Sequence, residues 1–200
     1  MRWLILGVYL VQFIEITRFP IPSEVSTLRL VHSGEGRPWL LLALGLLGIL
    51  TFNLPLLFII HPGLLNQMTP LLPPSLQPIP AFMTMSFLLS GSAFTILGVR
   101  ALRMKQQNAA DALTTTGIYR FCRHPINLGL ILIMTGFFGV YPLWIMVPGT
   151  GAFILNLHTR SRWEEQQLLR VFGEGYQVYQ RRVAMYGLPI KPKKSWLAAK

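Results

Sequence analysis

The sequence predicts an all-α integral membrane protein: a bundle of about five transmembrane helices followed by a C-terminal amphipathic helix at the membrane interface. Three observations support this fold. Of the 200 residues, 52% are hydrophobic and only 12% are charged, which is too apolar for an ordinary soluble domain. The apolar residues form five runs, and the positive charges lie in alternate segments between these runs.

The apolar runs cover residues 3–16, 38–60, 79–99, 126–140 and 142–157. Because a membrane helix needs about 20 apolar residues, the second and third runs are long enough to span a bilayer by themselves. The other three need help from flanking residues or protein contacts, and the last two are predicted to form a hairpin. The first run is not followed by a small-residue cleavage site, so we interpret it as a membrane helix and not as a signal peptide.

The Lys and Arg residues predict how the bundle is oriented. Three lie in residues 18–37, five in residues 100–123 and nine in residues 160–200, whereas residues 61–78 contain none. Since cytoplasmic segments retain positive charge, the N-terminus is predicted outside and the C-terminus in the cytoplasm. The net charge of +11 does not predict a nucleic-acid partner, because the basic residues do not follow one folded polar face.

Two segments have patterns of their own. Five prolines make residues 61–78 an expected irregular loop. Residues 161–186 have a helical pattern, with breaks expected at Gly173 and Gly175. Cys122 is the only cysteine, so no metal site with several cysteine ligands can form within the chain, and no other metal site is predicted. Cys122 itself is expected to be a small residue in a loop.

Ionisable residues frame the predicted hairpin. Residues 117–125 read Gly-Ile-Tyr-Arg-Phe-Cys-Arg-His-Pro before it, and residues 160–165 read Arg-Ser-Arg-Trp-Glu-Glu after it. Charged groups are costly beside lipid, so such a cluster is a candidate functional site. With the Phe-Gly-Glu-Gly-Tyr segment of residues 172–176, this order resembles the membrane methyltransferases typified by isoprenylcysteine carboxyl methyltransferase and the phospholipid methyltransferases, over roughly the last half of the chain.

The resemblance implies one methyltransferase domain over residues 1–200, with variable transmembrane helices in residues 1–110 and the cofactor-binding and catalytic half in residues 111–190. It implies S-adenosylmethionine as the cofactor, entering from the cytoplasm. The acceptor would be lipid-like and arrive from the bilayer, either a carboxylate like that of prenylcysteine or a phospholipid-like amine. Membrane lipids are the other expected partners.

The resemblance also implies roles for individual residues. Arg160 would contact the acceptor and Glu164 the cofactor, as the catalytic pair. Asn127 stands where family members often have a tyrosine, and only Leu113 matches the family's His-x-Leu-Val segment. The implied cofactor-binding residues are Asp111, Ala112, Leu113, Thr114, Tyr119, His124, Pro125, Ile126, Asn127 and Glu164.

Simpler interpretations exist for the main motif residues. Arg160 and Glu164 are four residues apart, which also suits an ordinary intrahelical ion pair. Tyr119 could be an interfacial aromatic residue, and Pro125 could simply begin a helix. What favours a site is the joint order of these residues, which is rarer than any part alone.

Three neighbouring positions leave alternatives open. Glu165 could orient Arg162 or face solvent. Arg123, with backbone amides at a helix start, could receive the cofactor's carboxylate. Gly91 and Gly98 could belong to a cofactor motif, although close helix packing through small residues is the simpler interpretation.

Two other functions fit parts of the pattern. Membrane sterol or steroid reductases that use NADPH carry Arg-His-x-Asn-Tyr-like motifs before a terminal hairpin, but Glu164 and Glu165 after Arg160 favour the methyltransferase. A catalytically silent membrane scaffold of the same fold would fit the departure at Asn127.

Overall fold

The structure is a computed structural model that describes residues 2–18, 38–72, 81–108 and 113–187. Within these ranges the protein is helical and contains no strand, so the all-α prediction is confirmed. The elements are α1 (Arg2–Arg18), α2 (Pro38–Ile60), the single turn α3 (Pro62–Leu65), α4 (Ala81–Asn108), a 3₁₀ turn (Gly117–Arg120), α5 (Pro125–Val140), α6 (Met146–Phe172) and α7 (Glu174–Arg182).

Two of these helices are long and apolar enough to cross a membrane, at Leu42–Ile60 and Ala81–Met104. Only 22% and 33% of these two segments is buried inside the bundle, so most of their apolar surface faces outward. That exposure distinguishes them from the core helices of a soluble protein. Arg2–Ile14 and Pro125–Val140 are apolar but shorter, and the count of five spanning helices stays a prediction.

The helices pack in two main pairs. Helix α5 lies along α4, and α6 lies along α2, so each arm of the predicted hairpin makes its principal contact with another helix. The core between them includes Ile5, Leu88 and Ile133, which are fully buried. Tyr9 of α1 stacks on Phe137 with ring centroids 5.2 Å apart, which ties the first helix to the same core.

The bundle has two chemically different ends. The segment after α2 meets the α5–α6 turn, where the Leu71 amide donates to the Pro142 carbonyl at 2.6 Å and the Trp144 amide to Thr69 at 3.2 Å. The opposite end, here called the charged end, contains the 3₁₀ turn, the start of α5 and residues 160–182. The described parts of the segments without Lys or Arg therefore lie together, away from Arg120, Arg123 and the Arg residues of 160–182.

Two local predictions need correction. The expected irregular loop at residues 61–78 contains the helical turn α3 and an isolated bridge between Pro70 and Leu143, and residues 73–78 lie outside the described residues. The predicted tail helix begins as a direct continuation of α6, because no Gly or Pro interrupts residues 152–172. The break at Gly173 is confirmed by its φ of 52°, which favours glycine, whereas Gly175 lies inside α7.

Glycines allow α4 and α5 to approach closely. A Cβ atom on Gly91 would lie 2.7 Å from the Gly129 carbonyl oxygen, and one on Gly98 would lie 2.7 Å from Cγ1 of Ile126. Gly129 and Gly91 therefore place the two backbones in direct contact, as small residues commonly do between membrane helices. This contact supports the packing interpretation of Gly91 and Gly98.

We expect Gly91→Ala to destabilise the protein, because overpacking typically costs about 1–3 kcal/mol. Gly151→Ala on α6 is the matched control, since no atom lies within 4 Å of its added methyl group. Both variants share the helix-propensity gain of about 1 kcal/mol, so their difference isolates the clash. The measurement is the melting temperature in detergent, and equal changes for the two variants would contradict the close contact.

Candidate functional site

The ionisable residues that come before and after the predicted hairpin meet at the charged end. His124, the residue before α5, lies between two consecutive glutamates of α6. Its Nδ1 is 3.5 Å from Oε2 of Glu164, and its Nε2 is 3.2 Å from Oε1 of Glu165. The His124 side chain is 5% exposed, so these carboxylates are its polar surroundings in place of water.

Glu165 is the buried anchor of this cluster. Its Oε1 accepts hydrogen bonds from Nε of Arg123 at 2.8 Å and also lies 2.8 Å from Nη2 of the same side chain. Its Oε2 accepts a bond from Nε2 of Gln180 at 3.1 Å. The expectations that Glu165 faces solvent or orients Arg162 are both wrong, because Glu165 is 6% exposed and is paired with Arg123.

Arg123 binds backbone carbonyls at the end of α7. Besides its two contacts to Glu165, its Nη1 donates to the backbone carbonyls of Gln180 at 2.8 Å and Val183 at 2.9 Å. A guanidinium has five N–H donors, so these contacts occupy most of them. The alternative in which Arg123 receives the cofactor's carboxylate is therefore disfavoured.

The electrostatics make this an ionised network. Burial acts to lower the pKa of His124, but its contacts with Glu164 and Glu165 outweigh burial, and the pKa is raised. Burial acts to raise the pKa of Glu165, but His124 and Arg123 outweigh it, and the pKa is lowered. A protonated His124 donates to both glutamates, so it fixes their relative positions.

Glu164 differs from its neighbour in access. Its side chain is 39% exposed, against 8% for Glu165, and it contacts His124 through one carboxylate oxygen, Oε2. Burial first, and then the charge of Glu164, raise the pKa of the Tyr119 phenol, which places this tyrosine within electrostatic reach of the carboxylate. Arg160 lies one turn earlier on the same helix face. Burial lowers its pKa, and the charge of Glu164 opposes that shift.

The segment before the 3₁₀ turn is only partly described. Asp111 and Ala112 lie outside the described residues. Leu113 packs against the cluster of Tyr176 and Tyr179, so it helps to seat α7. The hydroxyl of Thr114 is buried and has no hydrogen-bond partner among the described residues, which leaves a donor available to a ligand.

The first turn of α5 divides into packing and polar positions. Pro125 is fully buried at the helix start and, with Ile126, packs against Gly98 of α4. The helix-start interpretation of Pro125 is therefore confirmed. Asn127 points its amide to α6, where Nδ2 donates to the Ser161 hydroxyl at 2.8 Å. Of these three predicted cofactor residues, Asn127 is the one with polar atoms at the α5–α6 contact.

A segment that the sequence patterns did not predict closes this region. Residues 183–187, here called the strap, run beside the loop before α5: the Arg123 amide donates to Ala184 at 3.0 Å, and the His124 amide to Met185 at 3.2 Å. The thiol of buried Cys122 also reaches the Met185 carbonyl, at 3.2 Å, and Cys122 is a small loop residue as expected. The amphipathic pattern of the tail predicted α7 but contained no signal for this return.

Stability should depend on the charge of His124. Because its folded-state pKa is raised, its ion pairs are fully present below the unfolded value of about 6.5 and are lost as the pH rises through the folded value. We therefore expect the wild type to melt at a higher temperature than His124→Gln at low pH. This difference in melting temperature should become smaller as the pH rises through the folded-state pKa of His124. Glu165 stays ionised throughout, because His124 and Arg123 hold its pKa below the ordinary value. His158→Gln, at an exposed position, is the control, and a pH-independent advantage would contradict the ionised network.

Part of the chain matches a known protein family. Residues 80–175 match the family model for phospholipid methyltransferase, a segment that begins just before α4 and ends at the start of α7. No curated protein and no solved structure matches the chain. The match contains Tyr119, His124 and both glutamates, in agreement with the resemblance seen in the motifs. The chain therefore carries, over residues 80–175, a domain of the phospholipid methyltransferase family, whose members are membrane methyltransferases.

Proposed function

We propose that this protein transfers a methyl group from S-adenosylmethionine to a lipid-like acceptor at the charged end of the bundle. The observation that carries the proposal is the joining of the Tyr119–His124 loop to Glu164 within the segment that matches the family. A soluble cofactor would enter beside these residues from the cytoplasm. The acceptor would arrive from the bilayer along the outward apolar surfaces of α4 and α6.

Glu164 is the residue best suited to hold the cofactor. When bound, S-adenosylmethionine supplies a methyl group activated by a positively charged sulfonium. A carboxylate close to that charge stabilises it, and Glu164 is accessible while Glu165 is occupied by Arg123 and Gln180. His124 positions the Glu164 carboxylate, and the buried Thr114 hydroxyl offers a further polar contact to the cofactor. The described donor set therefore fits this cofactor.

Arg160 is placed to bind an anionic group of the acceptor. It lies one turn before Glu164, where the apolar part of α6 ends and the charged part begins. A guanidinium binds a carboxylate and a phosphate with the same planar geometry, so either a prenylcysteine-like carboxylate or a phospholipid headgroup suits it. The two residues would hold acceptor and cofactor on one helix face, four residues apart.

Methyl transfer from a sulfonium requires alignment more than acid–base help. The side chains must hold acceptor, methyl group and sulfur in line and keep water out. The buried bonds of Glu165 give this site a rigid base, because they fix the loop before α5 to α6 and α7. We assign His124 a positioning role, since both of its ring nitrogens face carboxylates.

We also propose that the protein is a multi-pass membrane protein with its N-terminus outside and the charged end in the cytoplasm. The segregation of Arg-rich segments to one end of the fold supports this orientation. α1, α5 and the first half of α6 would then complete five crossings together with the two long apolar helices.

The roles of Glu164 and Arg160 are testable by titration calorimetry in detergent. Glu164→Gln should weaken binding of S-adenosylmethionine by roughly tenfold or more, since a charge-assisted contact contributes about 1.5–3 kcal/mol. Binding of S-adenosylhomocysteine should change less, because it lacks the sulfonium charge. Arg160→Ala should retain cofactor binding and lose methyl transfer to membrane lipids or prenylcysteine analogues.

Glu174→Gln, at an exposed position of α7, is the matched control and should leave all these quantities unchanged. Equal losses for both cofactor forms would argue against a sulfonium contact. Binding of NADPH in place of S-adenosylhomocysteine would favour the reductase, and binding of neither would favour a silent scaffold.

The orientation is testable with two variants that each add one cysteine in place of an exposed glutamine, Gln67→Cys and Gln177→Cys. The native Cys122 is buried and should react slowly in both backgrounds. In right-side-out vesicles, an impermeant maleimide should label position 67, and position 177 only after the membrane is permeabilised. The opposite pattern would reverse the proposed topology.

A further inference from the structure

Tyr186 lies in the strap, outside the segment that matches the family. The path of the strap is set by backbone hydrogen bonds from Arg123 to Ala184 and from His124 to Met185. These bonds do not involve the Tyr186 side chain. The strap therefore holds Tyr186 beside His124 whatever the side chain itself contributes.

The hydroxyl of Tyr186 is anchored on α6. It lies 2.6 Å from the Ser161 hydroxyl, which is fully buried and also contacts the Leu157 carbonyl at 2.9 Å. Asn127 donates to the same Ser161 oxygen. Ser161 has one proton and two lone pairs, so it donates to Leu157 and accepts from both Asn127 and Tyr186. Every hydrogen-bonding position of Ser161 is thus filled, and the orientation of the Tyr186 ring is fixed.

The ring stands at the edge of the candidate site. Its centroid is 6.1 Å from the ring of His124 and 6.0 Å from that of His158, and the side chain is half-buried. Position 127, which shares the Ser161 anchor, has no aromatic ring of its own. An aromatic ring beside His124, on the same Ser161 anchor as Asn127, therefore comes from the tail.

We propose that Tyr186 is a cofactor-positioning residue whose ring forms the wall against which the adenine packs. The inference rests on the proposed function and adds a contact to it. Adenine is a planar aromatic group, and aromatic side chains are the usual surfaces on which such bases stack. The ring lies 6.1 Å from the ring of His124, which contacts the accessible Glu164, where the cofactor is proposed to bind.

The test compares Tyr186→Phe with Tyr186→Leu in the full chain, in detergent, by calorimetric titration with S-adenosylhomocysteine. Both variants lose the Ser161 bond, but only the second loses the ring. We expect Tyr186→Leu to weaken binding about tenfold, the size of one base–aromatic stacking contact, and Tyr186→Phe to weaken it about twofold at most. Methylthioadenosine, which keeps the adenine and lacks the amino-acid part, should lose affinity by the same factor.

A rescue experiment separates this role from a structural one. Introducing Asn127→Tyr into the Tyr186→Leu variant should restore most of the lost affinity, because a ring at position 127 can occupy the space that Tyr186 leaves. Tyr141→Leu, at the opposite end of the bundle, is the control and should leave affinity unchanged.

Three outcomes would overturn the inference. Equal affinity of the wild type and Tyr186→Leu would remove the ring from the site while leaving the proposed function intact. Equal losses in Tyr186→Phe and Tyr186→Leu would show that the hydroxyl anchor matters and the ring does not. Failure of the wild type itself to bind S-adenosylhomocysteine would refute the proposed function, and this inference with it.

Discussion

The candidate site depends on the pairing of one buried carboxylate. Glu165 is 6% exposed, and a charge in such a position is tolerated only with partners that replace water. Its partners come from two other parts of the chain: Arg123 and His124 before α5, and Gln180 in α7. Because removing one partner of a buried pair typically costs about 3–5 kcal/mol, these segments are strongly constrained to stay together. The rest of the site is built on that constraint.

The adjacent glutamates consequently have different tasks. Consecutive helical residues point about 100° apart, so Glu165 can face the interior while Glu164 faces the more accessible side. His124 touches both, which transmits the rigidity of the buried pair to the accessible carboxylate. The proposed cofactor site would hold a cation and exchange it with solvent, and a fixed position combined with an open approach suits that task. The Glu-Glu motif supplies both within two residues.

Sequence patterns predicted the parts of the molecule that depend on local chemistry. The run at residues 38–60 coincides with α2, because apolar length alone defines such a helix. Helix α4 extends to Asn108, well beyond its apolar run, since a polar helix end leaves no trace in hydropathy. The meeting of His124 with Glu164 followed from motif order. The pairing of Glu165 with Arg123 did not, because the order of the motif does not say which of the two consecutive glutamates faces the interior. The return of the strap did not either, because it depends on the helix break at Gly173 and the end of α7 at Arg182.

The packing of the apolar helices also reaches the site directly. Pro125 and Ile126 lie against Gly98, where a side chain on α4 would collide with the start of α5. His124 is the residue immediately before this contact, and its backbone amide binds Met185 of the strap. Gly98 thus sets how closely the first turn of α5 approaches α4. The position of that turn in turn sets where the His124 imidazole lies between Glu164 and Glu165. A constraint that arises from helix packing within the apolar bundle therefore determines the geometry of the charged groups at its end.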